Sequence, residues 1–188
     1  MTETAVGPLG GLETKWLAFD RAATVDGDGA IEGYASLFGV ADRSGDVVQA
    51  GAFAKSLADL RAEGRRVKLL WQHEPAEPIG VWDVVAEDAK GLRVKGRLLT
   101  EVRRGAEALA LLRAGAVDGL SIGYRAVTAG RRAEGGRLLT EVELWEVSLV
   151  TFPMLPAARA SAGPAGGAGP AAAAAPASGA PAEQGDDE

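Results

Sequence analysis

The chain contains no cysteine and a single histidine, and both shortages exclude whole classes of chemistry. Without cysteine the chain can form no disulfide, no thiol nucleophile and no cysteine-ligated zinc site. One histidine also argues against a histidine-based metal centre, so we predict neither a metal nor a cofactor. Any reaction that needs an imidazole base must therefore use His73.

Long apolar runs and an excess of positive charge are missing as well. No stretch is apolar enough over sufficient length to span a bilayer, and the N-terminus lacks the pattern of a secretory signal. The net charge of -6, without a basic stripe that carries aromatics, argues against a nucleic-acid module. We therefore predict a soluble cytoplasmic protein with no membrane and no nucleic-acid partner.

Composition divides the chain into three parts. Residues 1–14 are predicted to form a flexible leader, and residues 15–156 hold enough apolar side chains for one domain with its own core. Beyond residue 156 the chain has no Leu, Ile, Val or aromatic residue and is mostly Ala, Gly, Pro and Ser. Because such a segment cannot bury enough apolar surface to offset its ordering entropy, residues 157–188 are predicted to be a disordered tail.

Hydrophobic periodicity predicts strands interrupted by two helices. The predicted strands are residues 15–19, 31–38, 67–71, 79–85, 92–98, 120–127 and 138–150, and the predicted helices are residues 52–62 and 103–113. This order favours a mostly antiparallel α+β domain, or a β-barrel with helices outside it.

Residues 118–124 read Asp-Gly-Leu-Ser-Ile-Gly-Tyr and combine a strand pattern with a serine between two glycines. Strand alternation places the apolar side chains on one face and Gly119, Ser121 and Gly123 on the other. The second face offers a hydroxyl on a nearly bare backbone, which another chain can approach closely. A serine hydroxyl becomes a good nucleophile only when a neighbouring base removes its proton.

His73 and Glu146 are the candidate partners of that serine. His73 follows a short apolar strand and could serve as a general base, although a structural histidine that satisfies its hydrogen bonds is the alternative. Glu146 lies in a strand that is apolar on both faces, where an unpaired charge is expensive. It could orient a histidine as the acid of a triad, or form an ion pair with Arg125 or Arg97.

The pentapeptide around Ser121 also matches the Gly-x-Ser-x-Gly elbow of α/β-hydrolases. That fold requires an acid and then a histidine after the serine, together with alternating strands and helices. No histidine follows Ser121, and the sequence beyond it predicts strands and a tail. The hydrolase fold is therefore rejected.

Several ordered motifs together resemble the prohead (head-maturation) serine peptidases of tailed phages, a family that also has homologues in prophage-derived gene transfer agents. The motifs are Leu-Trp-Gln-His at residues 70–73, Gly-Leu-Ser-Ile-Gly-Tyr at residues 119–124 and Leu-Trp-Glu-Val-Ser-Leu-Val-Thr-Phe-Pro at residues 144–153. Shorter matches are Gly-Tyr-Ala at residues 33–35, Gly-Asp-Val-Val at residues 45–48 and Gly-Ala-Phe at residues 51–53. The resemblance covers residues 16–156.

The resemblance implies a herpesvirus-assemblin-like β-barrel flanked by helices. It further implies a serine endopeptidase that removes a scaffold segment from the major capsid protein precursor inside assembling proheads, and that also cuts itself. By position, Ser121 would be the nucleophile, His73 the base and Glu146 the acid. Other prohead components, and a second copy of the chain, would be its neighbours in the prohead.

Two other functions fit the same sequence. One is a non-catalytic capsid-assembly factor that uses the fold as a binding scaffold. The other is an esterase-like hydrolase of small substrates. Substitution of Ser121 separates the first of these from an enzyme, and release of a defined capsid fragment separates the second from a peptidase.

Overall fold

The computed structural model describes residues 29–162, which form eight strands and two short helices. In chain order the elements are β1 (Ala30–Leu37), β2 (Val47–Val48), α1 (Ala54–Ala62), β3 (Lys68–Trp71), β4 (Glu74–Glu87), β5 (Gly91–Leu98), α2 (Arg103–Arg113), β6 (Gly119–Arg131), β7 (Arg137–Val150) and β8 (Ala160–Ala162). Neither helix of this part of the chain is long and apolar enough to cross a membrane.

The strands build one sheet in the order β2-β7-β3-β4-β5-β1-β8, and β6 pairs with β7 beside this path. Strand β7 is the common partner of three others. Strand β6 pairs with it antiparallel along most of its length, while β2 and β3 pair with it in parallel near its start and its end. The remaining pairs are antiparallel, so the predicted mostly antiparallel α+β architecture is confirmed.

The predicted β-barrel is wrong in one respect, because the sheet of the described residues does not close. Strand β8 continues the ladder from β1, with Ile31 opposite Ala162. Its approach to the other end of the sheet is limited to an isolated bridge between Gly119 and Arg159. The sheet therefore curls far enough for its two ends to touch, but no continuous ladder joins them.

The core lies on one face of this sheet and is built mostly from aliphatic side chains, with Phe53 and Trp82 as its buried aromatic residues. Phe53, Leu69, Leu120 and Leu149 are at most 1% exposed. Helix α2 contributes a buried stripe at helical spacing, composed of Gly105, Ala108, Leu109 and Leu112. Each fully buried side chain of this size contributes about 1.5–3 kcal/mol to folding, so the core stabilises the positions of the strands.

The predicted helices and strands within the described residues all occur, with differences at their ends. Helix α2 has the predicted bounds, whereas β4 begins earlier than predicted, at Glu74, and β6 extends to Arg131. Strand β8 was not predicted. The tail predicted from residue 157 overlaps β8, so its first residues belong to the sheet, and residues 163–188 lie outside the described part. The predicted leader and the strand at residues 15–19 also lie outside it.

Candidate active site

Strand β7 brings the candidate acid and the candidate nucleophile to neighbouring positions. Ser121 on β6 lies directly opposite Ser148 on β7, and Gly123 lies opposite Glu146. Directly opposed residues of an antiparallel pair point to the same face, with Cβ atoms about 4.5–5.5 Å apart. The hydroxyl of Ser121 and the carboxylate of Glu146 therefore lie on one face, the face opposite the aliphatic core.

The candidate base reaches this face from β3. The parallel register of β3 with β7 places Leu70 opposite Ser148, so simple alternation would direct residue 73 to the core face with Trp71. Instead β3 ends at Trp71, and Gln72 and His73 both adopt left-handed backbone conformations, with φ angles of 53° and 61°. This turn directs the His73 ring towards Glu146, which the sequence pattern did not predict.

The His73 ring and the Glu146 carboxylate form a short hydrogen bond, with 2.6 Å between Nδ1 and Oε1. The carboxylate is buried, with 8% of the residue exposed, whereas the His73 side chain is 42% exposed. The partners of Glu146 are thus not the arginines considered above, and Arg125 pairs with Glu143 instead.

Ser148, which the sequence analysis did not single out, links the same two residues. Its hydroxyl donates to Glu146 Oε2 at 2.6 Å and accepts the backbone N–H of His73 at 3.1 Å. The residue is fully buried. One signal was available in the sequence, because a serine two positions after a buried glutamate on a strand must lie on the same face.

Gly123 makes room for the Glu146 side chain. A Cβ atom at this position would lie 2.0 Å from Glu146 Oε1, which means that the carboxylate rests directly over the glycine. The second glycine of the motif is therefore required by a side chain of the neighbouring strand, and its φ angle is not in the left-handed region. This is a close-approach role of glycine.

The third contact of a triad is not formed in this structure. Among residues 29–162 no hydrogen bond joins the Ser121 hydroxyl to the His73 ring. Ser121 lies opposite Ser148 in the β6–β7 ladder, and the backbone N–H of His73 donates to the Ser148 hydroxyl. In the absence of substrate such contacts are often longer than a hydrogen bond and shorten in the substrate complex.

A cavity of about 260 Å³ adjoins Ser121. Its wall combines apolar side chains of β6 and of the segment after β7, such as Ile122 and Leu155, with Tyr124, Asp46 and Arg137. Burial, and to a smaller extent the Asp46 carboxylate, raises the pKa of the Tyr124 hydroxyl. Hydrogen bonds from Arg137 lower the pKa of Asp46.

Within the described residues no group of three or more His, Asp or Glu side chains could hold a metal ion.

Comparison with known proteins places these features in one family. Residues 18–165 match the model described as Caudovirus prohead serine protease. The prohead protease of Enterobacteria phage HK97 is 37% identical over 146 residues, which are 74% of this chain and 64% of that protein. The chain thus spans somewhat less than two thirds of the length of this relative.

A solved phage structure shows a similar fold. The bacteriophage T4 capsid assembly protease matches with a TM-score of 0.56 and 18% identity, over 66% of this chain and 82% of that one. The KSHV protease, solved with a hexapeptide phosphonate inhibitor, matches with a TM-score of 0.44 and 13% identity, over 70% of this chain and 63% of that one.

Proposed function

The chain belongs to the caudovirus prohead serine protease family, and from this premise we propose that it is a serine endopeptidase with Ser121 as nucleophile, His73 as base and Glu146 as acid. One observation carries the proposal. The only imidazole of the chain is hydrogen-bonded at 2.6 Å to a buried carboxylate, on the face of the sheet that also carries Ser121.

The hydrogen bond to Glu146 determines which nitrogen of His73 acts as the base. When Nδ1 carries the hydrogen and donates it to the carboxylate, the lone pair lies on Nε2, the nitrogen remote from Glu146. Nε2 then accepts the proton of Ser121 while Oγ attacks the carbonyl carbon of the scissile peptide. Glu146 stabilises the imidazolium, and Nε2 returns the proton to the leaving amine as the C–N bond breaks.

Water completes the reaction. It attacks the carbonyl carbon of the acyl-enzyme and gives a proton to His73 Nε2, and that proton returns to Ser121 Oγ as the acid product leaves. Because Glu146 is almost fully buried, its charge interacts with the imidazolium with little screening by solvent. The partly exposed His73 ring remains accessible to a substrate.

The proposed substrate is the precursor of a major capsid protein, from which the enzyme removes an N-terminal scaffold segment during prohead assembly in the host cytoplasm. The names of the relatives in phages HK97 and T4 support this choice. Self-cleavage in the Ala- and Gly-rich C-terminal segment is proposed as a second reaction of the same site.

Substitution of the nucleophile tests the proposal. We expect Ser121→Ala to leave folding intact and to abolish cleavage of a co-expressed capsid precursor, a loss of ~10⁶ in rate. His73→Ala should lose about 10²–10⁴. Ser161→Ala, in β8, is the matched control and should cleave normally.

Intact mass spectrometry of the precursor and of the protease detects cleavage as a loss of mass. A fluorophosphonate probe, whose phosphorus is attacked by Oγ with loss of fluoride, should label Ser121 and no residue in the Ser121→Ala variant. Normal precursor cleavage in the presence of Ser121→Ala would overturn the proposal, and normal assembly and maturation of heads that contain this variant would favour the non-catalytic assembly factor. Probe labelling without a defined capsid fragment would favour an esterase-like hydrolase.

A further inference from the structure

Ser148 lies at the centre of the site and makes a contact with each of two catalytic candidates. Resting on the function proposed above, we infer that Ser148 is a positioning residue, whose hydroxyl holds the Glu146 carboxylate and the His73 backbone in one arrangement. The residue does not reach the reacting atoms itself. It acts through its two neighbours.

The two hydrogen bonds of Ser148 determine the direction of its hydroxyl hydrogen. A hydroxyl has one hydrogen to donate, and the backbone N–H of His73 can only donate, so the Ser148 oxygen accepts from His73 and its hydrogen points to Glu146 Oε2. Glu146 is thereby held at both oxygens, by His73 Nδ1 on Oε1 and by Ser148 on Oε2. A carboxylate held at both oxygens cannot rotate about its terminal bond without losing a contact.

Burial makes this arrangement hard to replace with water. Ser148 is 0% exposed and Glu146 is 8% exposed. Removal of the hydroxyl would leave the His73 N–H and one carboxylate oxygen without their present partner, and each such loss is unfavourable in a buried site. The carboxylate would then be free to turn towards another donor.

The backbone of His73 depends on the same hydroxyl. A left-handed conformation at two successive residues other than glycine is uncommon and persists only where surrounding contacts enforce it. The His73 N–H donates to Ser148, and the Gln72 N–H donates to the Leu149 carbonyl oxygen at 3.0 Å. The Gln72 side-chain amide donates to the Thr151 hydroxyl at 2.7 Å and accepts the Thr151 N–H at 3.3 Å. Ser148 supplies the contact on the residue that carries the base.

The experiment compares Ser148→Ala with a matched buried serine. Ser56 is 7% exposed, and its hydroxyl also accepts a backbone N–H, from Leu144 at 2.9 Å, but it lies on α1. Three quantities are measured on the full chain: the rate at which a fluorophosphonate labels Ser121, the ¹⁵N spectrum of the histidine ring, and the thermal unfolding midpoint. Because the chain has one histidine, the ring spectrum reports on His73 alone.

We expect Ser148→Ala to lower the labelling rate of the folded protein by roughly 10–100-fold, as removal of outer hydrogen-bond partners does in metal sites. The ring should also shift from a dominant Nδ1–H form towards a mixture of tautomers. Ser56→Ala should lower the unfolding midpoint but leave both the labelling rate and the tautomer unchanged. Ser148→Thr, which keeps a hydroxyl, should recover most of the rate.

A labelling rate and a ring spectrum equal to those of the wild type in Ser148→Ala would overturn the inference. If that variant does not fold, Ser148→Cys replaces it, because the thiol is of similar size and a weak hydrogen-bonding group. A wild-type rate and spectrum in Ser148→Cys would likewise overturn the inference. Absence of labelling in the wild type would instead contradict the proposed function, whereas the ring spectrum would still test the positioning role.

Discussion

Because Glu146 packs directly against Gly123, addition of a single methyl group in Gly123→Ala should displace its carboxylate. In Gly123→Ala the new Cβ would lie 2.0 Å from Glu146 Oε1, 2.7 Å from its Cδ and 2.8 Å from its Cγ. Ordinary contact with a Cβ begins at 3.4 Å, so the carboxylate oxygen must move by about 1.4 Å. The alternative, a shift of β6 away from β7, would break the ladder that aligns Ser121.

Movement of this size removes the hydrogen bond to the base. The bond between His73 Nδ1 and Glu146 Oε1 is 2.6 Å long, and lengthening it by more than 1 Å exceeds hydrogen-bonding distance. Misplacement of a catalytic group by about 1 Å costs roughly 10²-fold in rate. Overpacking of a well-packed site costs about 1–3 kcal/mol of stability, which leaves an ordinary domain folded.

The assay is precursor cleavage together with fluorophosphonate labelling of Ser121, both corrected for the folded fraction. Gly130→Ala is the control, because Gly130 lies on the same strand and a Cβ there would meet no atom within 4 Å. We expect a loss of ~10² for Gly123→Ala and no change for Gly130→Ala. Wild-type rates in a folded Gly123→Ala variant would refute the argument that Glu146 must lie over this glycine.

Two further predictions concern charged residues away from the triad. Hydrogen bonds from Arg137 lower the pKa of Asp46 from its ordinary value of 3.8. The pair therefore stabilises the fold fully above pH 3.8, and this stabilisation is lost as the pH falls through the lowered pKa of the folded state. Arg137→Gln should therefore lower the free energy of unfolding by roughly 1–2 kcal/mol at pH 7, and urea denaturation should show this difference shrinking below pH 3.8. Arg125→Gln removes a solvent-screened pair with Glu143 and should leave both stability and cleavage nearly unchanged, since Arg125 does not contact Glu146. A large loss of cleavage in Arg125→Gln would instead support an ion pair between Arg125 and Glu146, the alternative considered in the sequence analysis.

Local signals in the sequence were sufficient for the elements that depend on local contacts. The apolar stripe of α2 and the strict alternation along β5 reproduce the burial of their side chains. Strand β8 was missed because Ala-Ser-Ala carries no apolar or β-branched signal. Its place is determined by backbone pairing with β1, which composition does not reveal.

For the candidate site, the sequence indicated which residues to consider but not how they meet. The buried position of Glu146 could be inferred from the apolar residues around it, and burial requires a partner. The direction of the His73 side chain could not be inferred, because it depends on left-handed backbone conformations at Gln72 and His73. Neither residue is a glycine or asparagine, the residues that usually indicate such a conformation. The parallel pairing of β3 with β7, which brings the turn beside Glu146, joins segments far apart in the chain and leaves no short-range pattern.

The parallel ladder between β3 and β7 has a consequence for when the protein can act. A ribosome releases β3 and the following His73 long before it has made β6 and β7, so a nascent chain carries the proposed base without either partner. The hydroxyl and the carboxylate meet that histidine only after β7 has paired with both β6 and β3. The proposed hydrolysis would thereby be tied to completion of the domain, and unfinished chains would leave neighbouring polypeptides uncut.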